Sequence, residues 1–168
     1  TPVELKQYST QSVFYRLIDS KGYIQITSFN EMTVEQFKTA VDTMCEAGAE
    51  ALVFDLRGNG GGTVNSVCEM LDYILPEGPV LKVDYKDKNR NEVYISDKSE
   101  IDMPMAVLTD GNTASASEIF TQSLRDYGKA IVVGRKTYGK GVVQRTFTLS
   151  DGSLAVFTIA RYYTKSGY

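Results

Sequence analysis

Short apolar runs alternate along this chain with longer segments in which apolar residues recur at every third or fourth position. The short runs predict β-strands, and the longer segments predict amphipathic helices. Because strands and helices alternate without an internal repeat, we expect one α/β domain that spans residues 1–168. The predicted strands cover residues 13–18, 23–26, 51–56, 80–85, 92–95, 105–109, 130–133, 142–149 and 154–163.

Three segments carry the helical spacing, and each has a recognisable start or stop. The predicted helices cover residues 33–46, 64–74 and 115–127. Thr33 and Gln36 are interpreted as a capping box at the start of the first helix, and Gly48 as its stop. Pro76 ends the second helix.

Composition excludes several classes of function. The chain is 42% hydrophobic and 23% charged, which is typical of a globular protein. Its net charge is −3 and its basic residues are scattered, so we expect no nucleic-acid partner. The apolar runs are too short to span a bilayer. Histidine is absent and the acidic residues show no ligand spacing, so we expect neither a metal nor another cofactor.

The cysteines and the chain start add two smaller expectations. Cys45 and Cys68 each fall on the apolar stripe of a predicted helix, where a free cysteine behaves as a small buried hydrophobe. The chain begins with Thr1 instead of methionine, so we expect a fragment from which any targeting segment has been removed.

The absence of histidine limits the chemistry open to a serine hydrolase, because another group must take the hydroxyl proton. A lysine can do so when burial lowers its pKa. Pairs of serine and lysine are a known form of the nucleophile and its base. Ser115 and Lys140 are the candidates, and Gln144 is placed to hold the lysine by a hydrogen bond.

Each of these residues also has a structural interpretation. Ser115 with Glu118 is itself a capping box for the third helix, and Ser117 is a rival nucleophile. Lys140 lies between two glycines, as an ordinary turn lysine would, and Gln144 lies on a predicted strand, where it could be a plain exposed residue. The functional interpretation places Ser115 near free N–H groups at the helix start, with that of Ala116 as the first oxyanion donor.

A glycine-rich loop, DLRGNGGG at residues 55–62, follows a buried strand. It matches neither a dinucleotide-binding fingerprint nor a Walker loop. It can be a tight turn between strand and helix, or it can supply a backbone N–H donor to an oxyanion. Asp55 and Arg57 either pair to hold the loop or are solvated charges.

Together these segments resemble the catalytic core of the carboxyl-terminal processing (tail-specific) proteases, peptidase family S41. The glycine loop resembles the family's Asp-Leu-Arg-x-Asn-Pro-Gly-Gly, SASE at 115–118 its nucleophile segment, and YGKGVVQ at 138–144 its base segment. The resemblance runs from about Gly22 to Thr164.

The resemblance implies a serine endopeptidase that cleaves polypeptides near their C-termini through an acyl-enzyme. Ser115 would be the nucleophile, Lys140 the general base and Gln144 its orienting partner. The backbone N–H groups of Gly61 and Ala116 would form the oxyanion hole. It also implies a ClpP/crotonase-like core of β-β-α units and a location outside the cytoplasm, in the cell envelope, the periplasm or the medium.

Two departures from the family pattern stand out. Gly60 occupies the position where the family usually has proline. No segment corresponds to the PDZ domain with which family members bind substrate tails, so we expect a catalytic core without that domain.

Two other functions fit related folds. A retinoid- or lipid-binding module would keep this core without catalysis, but the retention of Ser115, Lys140 and Gln144 together argues against it. Acyl-CoA chemistry would need a CoA-phosphate site, and the sequence shows none.

Overall fold

Two sheets and three helices form the part of the chain that the computed structural model describes, residues 10–97 and 100–167. The helices are α1 (Glu31–Glu46), α2 (Val64–Asp72) and α3 (Ala116–Asp126), and a short 3-10 turn covers Lys88–Arg90. The strands are β1 (Val13–Ile18), β2 (Lys21–Ile26), β3 (Ala51–Asp55), β4 (Gly78–Tyr85), β5 (Glu92–Ser96), β6 (Met105–Thr109), β7 (Ala130–Gly134), β8 (Val142–Thr148) and β9 (Leu154–Thr164).

The first sheet has the strand order β1-β2-β3-β6-β7 and is mixed in direction. β1 and β2 form an antiparallel hairpin, whereas β2, β3, β6 and β7 run parallel. Since the carboxyl ends of parallel strands meet at one edge, the loops after β3 and β6 emerge side by side. These loops are the glycine-rich segment and the segment that holds Ser115.

The second sheet is antiparallel, in the order β5-β4-β9-β8. β8 and β9 form the predicted terminal hairpin across residues 150–153. The ladder between them shifts register at Val143 and Gln144, which places an irregularity within the predicted base segment.

The core between helices and first sheet contains a cluster of fully buried phenylalanines. Phe120 of α3 meets Phe37 of α1 and Phe54 of β3 edge-on, with ring centroids 5.9 and 5.3 Å apart, and Phe29 lies 6.0 Å away. Edge-to-face geometry is the preferred arrangement of such rings. The cluster therefore fixes α1 and α3 on the same sheet.

The predicted elements are present, and most of their bounds agree within one or two residues. β6 has the predicted bounds. The predicted start of α1 was wrong, because its N-cap is Asn30. The Asn30 side chain accepts a hydrogen bond from the N–H of Thr33, and the Thr33 hydroxyl accepts one from the N–H of Asn30. Gln36 instead accepts hydrogen bonds from the N–H groups of Ser12 and Val13, so it links α1 to β1.

Cys68 is buried, Cys45 is half-buried, and both thiols are free, as predicted. Burial raises the pKa of the Cys68 thiol to about 12.

Within the described residues, the helices fall short of the length and apolarity that a bilayer span requires.

Candidate active site

Ser115 lies at the sharp turn between β6 and α3, directly before the first helical residue. Its backbone angles are φ 56° and ψ −117°, and residues other than glycine rarely adopt a positive φ. Such strain persists only where surrounding contacts hold it, and it clusters at functional sites. Serine nucleophiles of other hydrolases also sit on a strained strand-to-helix turn, which presents their hydroxyl at the helix start.

The hydroxyl of Ser115 stands in the capping-box position towards the Glu118 N–H but forms no capping hydrogen bond to α3, and that N–H donates to the Ser115 carbonyl at 2.8 Å instead. The reciprocal contact of a capping box is present, because the Glu118 carboxylate accepts from the N–H of Ser115 at 2.8 Å. Ser117, the rival nucleophile, is fully buried, and its hydroxyl donates to the carbonyl of Asn59 at 3.0 Å. Of these two serines, Ser115 is the one whose hydroxyl is available to a substrate.

The two predicted oxyanion donors differ in their surroundings. The N–H of Ala116 is buried and finds no acceptor within the described residues, which is rare for a buried backbone donor. It also stands at the positive end of the α3 dipole. The N–H of Gly61, by contrast, donates to Asn59 Oδ1 at 2.8 Å. The N–H of Ala116 is thus uncommitted within the described residues, whereas that of Gly61 is engaged by Asn59.

Gly61 packs directly against the turn that carries the predicted nucleophile Ser115 (residues 110–116, the nucleophile turn). It has φ 102°, and a Cβ added there would lie 2.9 Å from both the Ala116 nitrogen and the Ser115 Cβ. Any larger residue at position 61 would therefore press on the backbone around Ala116, so this close packing requires glycine.

Asn59 connects the glycine loop to its neighbours and is fully buried. Its side-chain N–H donates to the carbonyl of Ile26 at 2.8 Å while its side-chain oxygen accepts from Gly61. Its backbone carbonyl accepts from the N–H of Ala114 at 3.0 Å and from the Ser117 hydroxyl. One residue thus holds β2, the glycine loop and the nucleophile turn together.

Asp55 and Arg57 pair at the start of the glycine loop, which is the first of the two alternatives that the sequence left open. The carboxylate is 2% exposed and accepts from Arg57 Nε at 2.9 Å and from a terminal guanidinium nitrogen at 2.6 Å. The Tyr23 hydroxyl donates to it at 2.5 Å. Burial alone would raise the pKa of Asp55, but these hydrogen bonds outweigh it and hold that pKa below its usual value. The pair is structural, and it fixes where the loop begins.

The Glu118 carboxylate ties the base segment to the nucleophile turn. Besides the N–H of Ser115, it accepts from the N–H of Gly139 at 2.6 Å and from the N–H of Lys140 at 2.9 Å. Three donors on one carboxylate fix the separation of the two loops, because charge-assisted hydrogen bonds are short and directional.

Tyr162 of β9 makes a second connection between these loops. Its hydroxyl donates to the carbonyl of Lys140 and approaches that of Ser115 at 3.5 Å. Burial raises the pKa of Tyr162, and the nearby Glu118 carboxylate adds to the effect. The phenol therefore stays protonated at neutral pH and remains a hydrogen-bond donor.

The backbone of Lys140 is held beside the turn that carries Ser115, but the side chains of Lys140 and Gln144 do not form the expected contacts within the described residues. Lys140 is half-buried, but no hydrogen bond joins its amine to the Ser115 hydroxyl or to Gln144 within the described residues. Gln144 is exposed and lines an open cleft of about 670 Å³ that also borders Gly62 and Thr63 of the glycine loop. Catalytic hydrogen bonds are often long in ligand-free structures and tighten when substrate binds.

Three site residues were missed in the sequence: Asn59, Glu118 and Tyr162. Asn59 lies within the glycine loop, and its sequence context does not indicate that its side-chain amide is buried and hydrogen-bonded. Glu118 was interpreted solely as a capping partner, although it holds two further N–H groups. Tyr162 is one of 11 tyrosines and carried no distinguishing signal.

The sequence model of peptidase family S41 matches residues 20–168, and the chain belongs to this family. It is 32% identical over 159 residues to the carboxy-terminal processing protease CtpA of Bacillus subtilis, which covers 94% of this chain and 34% of that protein. It is 39% identical over 147 residues to the chloroplastic carboxyl-terminal-processing peptidase 1 of Arabidopsis thaliana, covering 86% of this chain and 30% of that protein. The chain thus spans about one third of the length of these relatives.

Solved structures show the same fold. The photosystem II D1 C-terminal processing protease superposes with a TM-score of 0.81 at 27% identity, over 96% of this chain and 46% of that one. A putative S41 protease from Bacteroides fragilis superposes with a TM-score of 0.84 at 18% identity, over 97% and 49% of the two chains. The mixed α/β fold is therefore that of the S41 proteases.

We predict that Asp55→Asn lowers the free energy of unfolding at pH 7 by about 1–3 kcal/mol. This is less than the loss expected for a fully buried ion pair, because solvent screens the exposed Arg57. The folded-state pKa of Asp55 is lowered, so its carboxylate stabilises the fold above its unfolded pKa of about 3.9. That contribution is lost as pH falls through the lower folded pKa. The variant should therefore lose less stability below about pH 4 than the parent does.

Urea unfolding at a series of pH values measures both effects. Asp19→Asn, at an exposed turn residue, is the control and should change stability by less than about 0.5 kcal/mol. Equal pH dependence in the parent and in Asp55→Asn would contradict the assignment.

We predict that Glu118→Gln loosens the base segment without unfolding the protein. An amide offers one acceptor oxygen where the carboxylate has two, and its NH₂ faces N–H donors. Exchange of the Gly139 and Lys140 amides should therefore accelerate about 5- to 30-fold, which corresponds to a loss of about 1–2 kcal/mol at this contact.

Hydrogen–deuterium exchange resolved to peptides across residues 137–141 makes the comparison. Core amides of β3 and β6 should keep their protection, and Glu46→Gln at the exposed end of α1 serves as the matched control. Unchanged exchange at 137–141 would show that Glu118 does not hold this segment.

Proposed function

We propose that this chain is the catalytic core of a serine endopeptidase that cleaves polypeptides, near their C-termini, through an acyl-enzyme on Ser115. One observation carries the proposal: a strained serine with an uncapped hydroxyl adjoins a buried backbone N–H that has no acceptor within the described residues. A nucleophile and an oxyanion donor must stand in this relation for acyl transfer. A ligand-binding module would have no use for that unpaired donor, which favours catalysis.

The proposed first step is attack of Ser115 Oγ on the scissile carbonyl carbon. Lys140, in its amine form, takes the hydroxyl proton, and the carbonyl oxygen becomes an oxyanion. The N–H of Ala116 stabilises that oxyanion, and the N–H of Gly61 joins it on release from Asn59. Gln144 orients the Lys140 amine once substrate draws the two side chains together.

Collapse of this intermediate breaks the C–N bond. The protonated Lys140 gives its proton to the leaving amine, and the acyl group stays on Ser115. Water then attacks the ester while Lys140 accepts the proton of that water. The second intermediate collapses, Ser115 recovers its proton, and a new carboxyl terminus is released.

We predict that Ser115→Ala and Lys140→Ala each lower kcat on an unstructured polypeptide at least about 10³-fold, because each removes a group that takes part in the bond changes. Cleavage is followed by gel electrophoresis and mass spectrometry of the products. Lys136→Ala, at an exposed lysine in the same loop, is the control and should stay within about twofold of the parent. Undiminished cleavage by both site variants would exclude the pair.

We also propose that the protein acts outside the cytoplasm. The resemblance to tail-specific proteases supports this location, as does the chloroplastic relative. We expect fractionation of the source cells, followed by immunoblotting, to recover the protein with the cell envelope, the periplasm or the medium. Recovery with the cytosol alone would overturn the proposal.

A further inference from the structure

We propose that the cleft beside the glycine loop binds a carboxylate of the polypeptide substrate through Arg90 and Arg145. This inference rests on the proposed function for the identity of the ligand, since a polypeptide carries carboxylates on Asp, on Glu and at its C-terminus. The cleft has a volume of about 670 Å³ and is lined on one side by β4, β5, β8 and β9. Its other side is the glycine loop with the start of α2.

The cleft adjoins the reacting centre. Gly62 lines it, and the preceding residue, Gly61, packs on the nucleophile turn. Gln144, the predicted partner of the base, lines the cleft as well. A polypeptide held at Ser115 therefore has this cleft as a path for the residues that flank its scissile bond.

Arg90 and Arg145 both line the cleft, and neither forms an ion pair within the described residues. Arg57 differs from them, because Asp55 holds its guanidinium by several hydrogen bonds. The donors of the two cleft arginines are thus uncommitted, whereas those of Arg57 are not.

Each of the two guanidinium groups lies over an aromatic ring. The Arg90 carbon Cζ lies 5.2 Å from the centre of the Tyr85 ring, and that of Arg145 lies 5.4 Å from the centre of the Phe147 ring. A guanidinium that stacks on a ring keeps its N–H edges free, and those edges match a carboxylate in bidentate geometry. The stacking reduces the side-chain entropy that binding would otherwise cost.

Glu92 is the opposing charge in the cleft. Its carboxylate lies 3.1 Å from the Tyr94 hydroxyl, which also has a shorter contact, of 2.8 Å, with Asn65 Oδ1. Two arginines against one glutamate leave the cleft with a net positive charge. Removing the Glu92 charge should therefore strengthen carboxylate binding, whereas removing either arginine charge should weaken it.

The test measures binding of fluorescent peptides to the full chain carrying Ser115→Ala, so that no turnover occurs. The probe is an unstructured 12-residue peptide with one Glu and a free C-terminus. It is compared with a Glu-to-Gln peptide and with a C-terminally amidated peptide, all by fluorescence anisotropy. We expect the fully charged probe to bind about 3- to 10-fold more tightly than at least one neutral counterpart, and this ratio to shrink in high salt.

In this background, Arg90→Gln and Arg145→Gln should each lower the ratio about threefold, and Glu92→Gln should raise it. Arg125→Gln, at an exposed arginine on α3 outside the cleft, should leave it unchanged. Loss of tight binding in the Gln peptide identifies a side-chain carboxylate as the ligand, and loss in the amidated peptide identifies the terminal one. Thermal unfolding of each variant verifies that it folds.

The cleft assignment would be overturned if both neutral peptides bound as tightly as the charged probe. It would also be overturned if neither arginine variant lowered the ratio of the charged-probe affinity to the neutral-peptide affinity. Absence of measurable binding would do the same. Cleavage of these peptides by the parent chain is scored separately. A carboxylate preference without cleavage would leave the cleft assignment standing and count against the peptidase function.

Discussion

The buried amide of Asn59 is the contact on which the arrangement of the site depends. It joins the end of β2 to the glycine loop, and its backbone carbonyl holds the turn that carries Ser115. Unsatisfied polar groups are costly in a protein interior, so this residue is stable there only while all of these segments stay in place. The loop and the turn are consequently joined, although Asn59 and Ala114 lie 55 positions apart in the sequence.

Strand order makes this contact possible. β3 and β6 are parallel neighbours, and the glycine loop and the nucleophile turn leave their carboxyl ends at the same edge of the sheet. The phenylalanine cluster below them fixes the helices, and with them the start of α3, where the N–H of Ala116 finds no acceptor within the described part of the chain. The second sheet contains the end of the predicted base segment, from Val142, and lines one side of the cleft.

Periodicity and turn residues were sufficient to predict the elements, because the apolar spacing of α1 and α3 and the short apolar runs of β3 and β6 follow directly from which faces are buried. The start of α1 was misplaced since Thr33 and Gln36 mimic a cap that Asn30 in fact provides. Ser115 and the glycine loop were found from motif spacing. The roles of Asn59, Glu118 and Tyr162 depend on which strands adjoin, and residue spacing along the chain does not encode that order.

Tyr162 makes the position of the Lys140 segment depend on β9. The contacts of Asn59 lie within residues 26–117, whereas the hydroxyl that binds the Lys140 carbonyl belongs to a strand that begins at Leu154. Displacement of β9 would therefore release the Lys140 carbonyl while the contacts of Asn59 stay in place. The separation of Ser115 from Lys140 thus depends on both sheets, because the loop with Ser115 follows a strand of the first and Tyr162 belongs to the second.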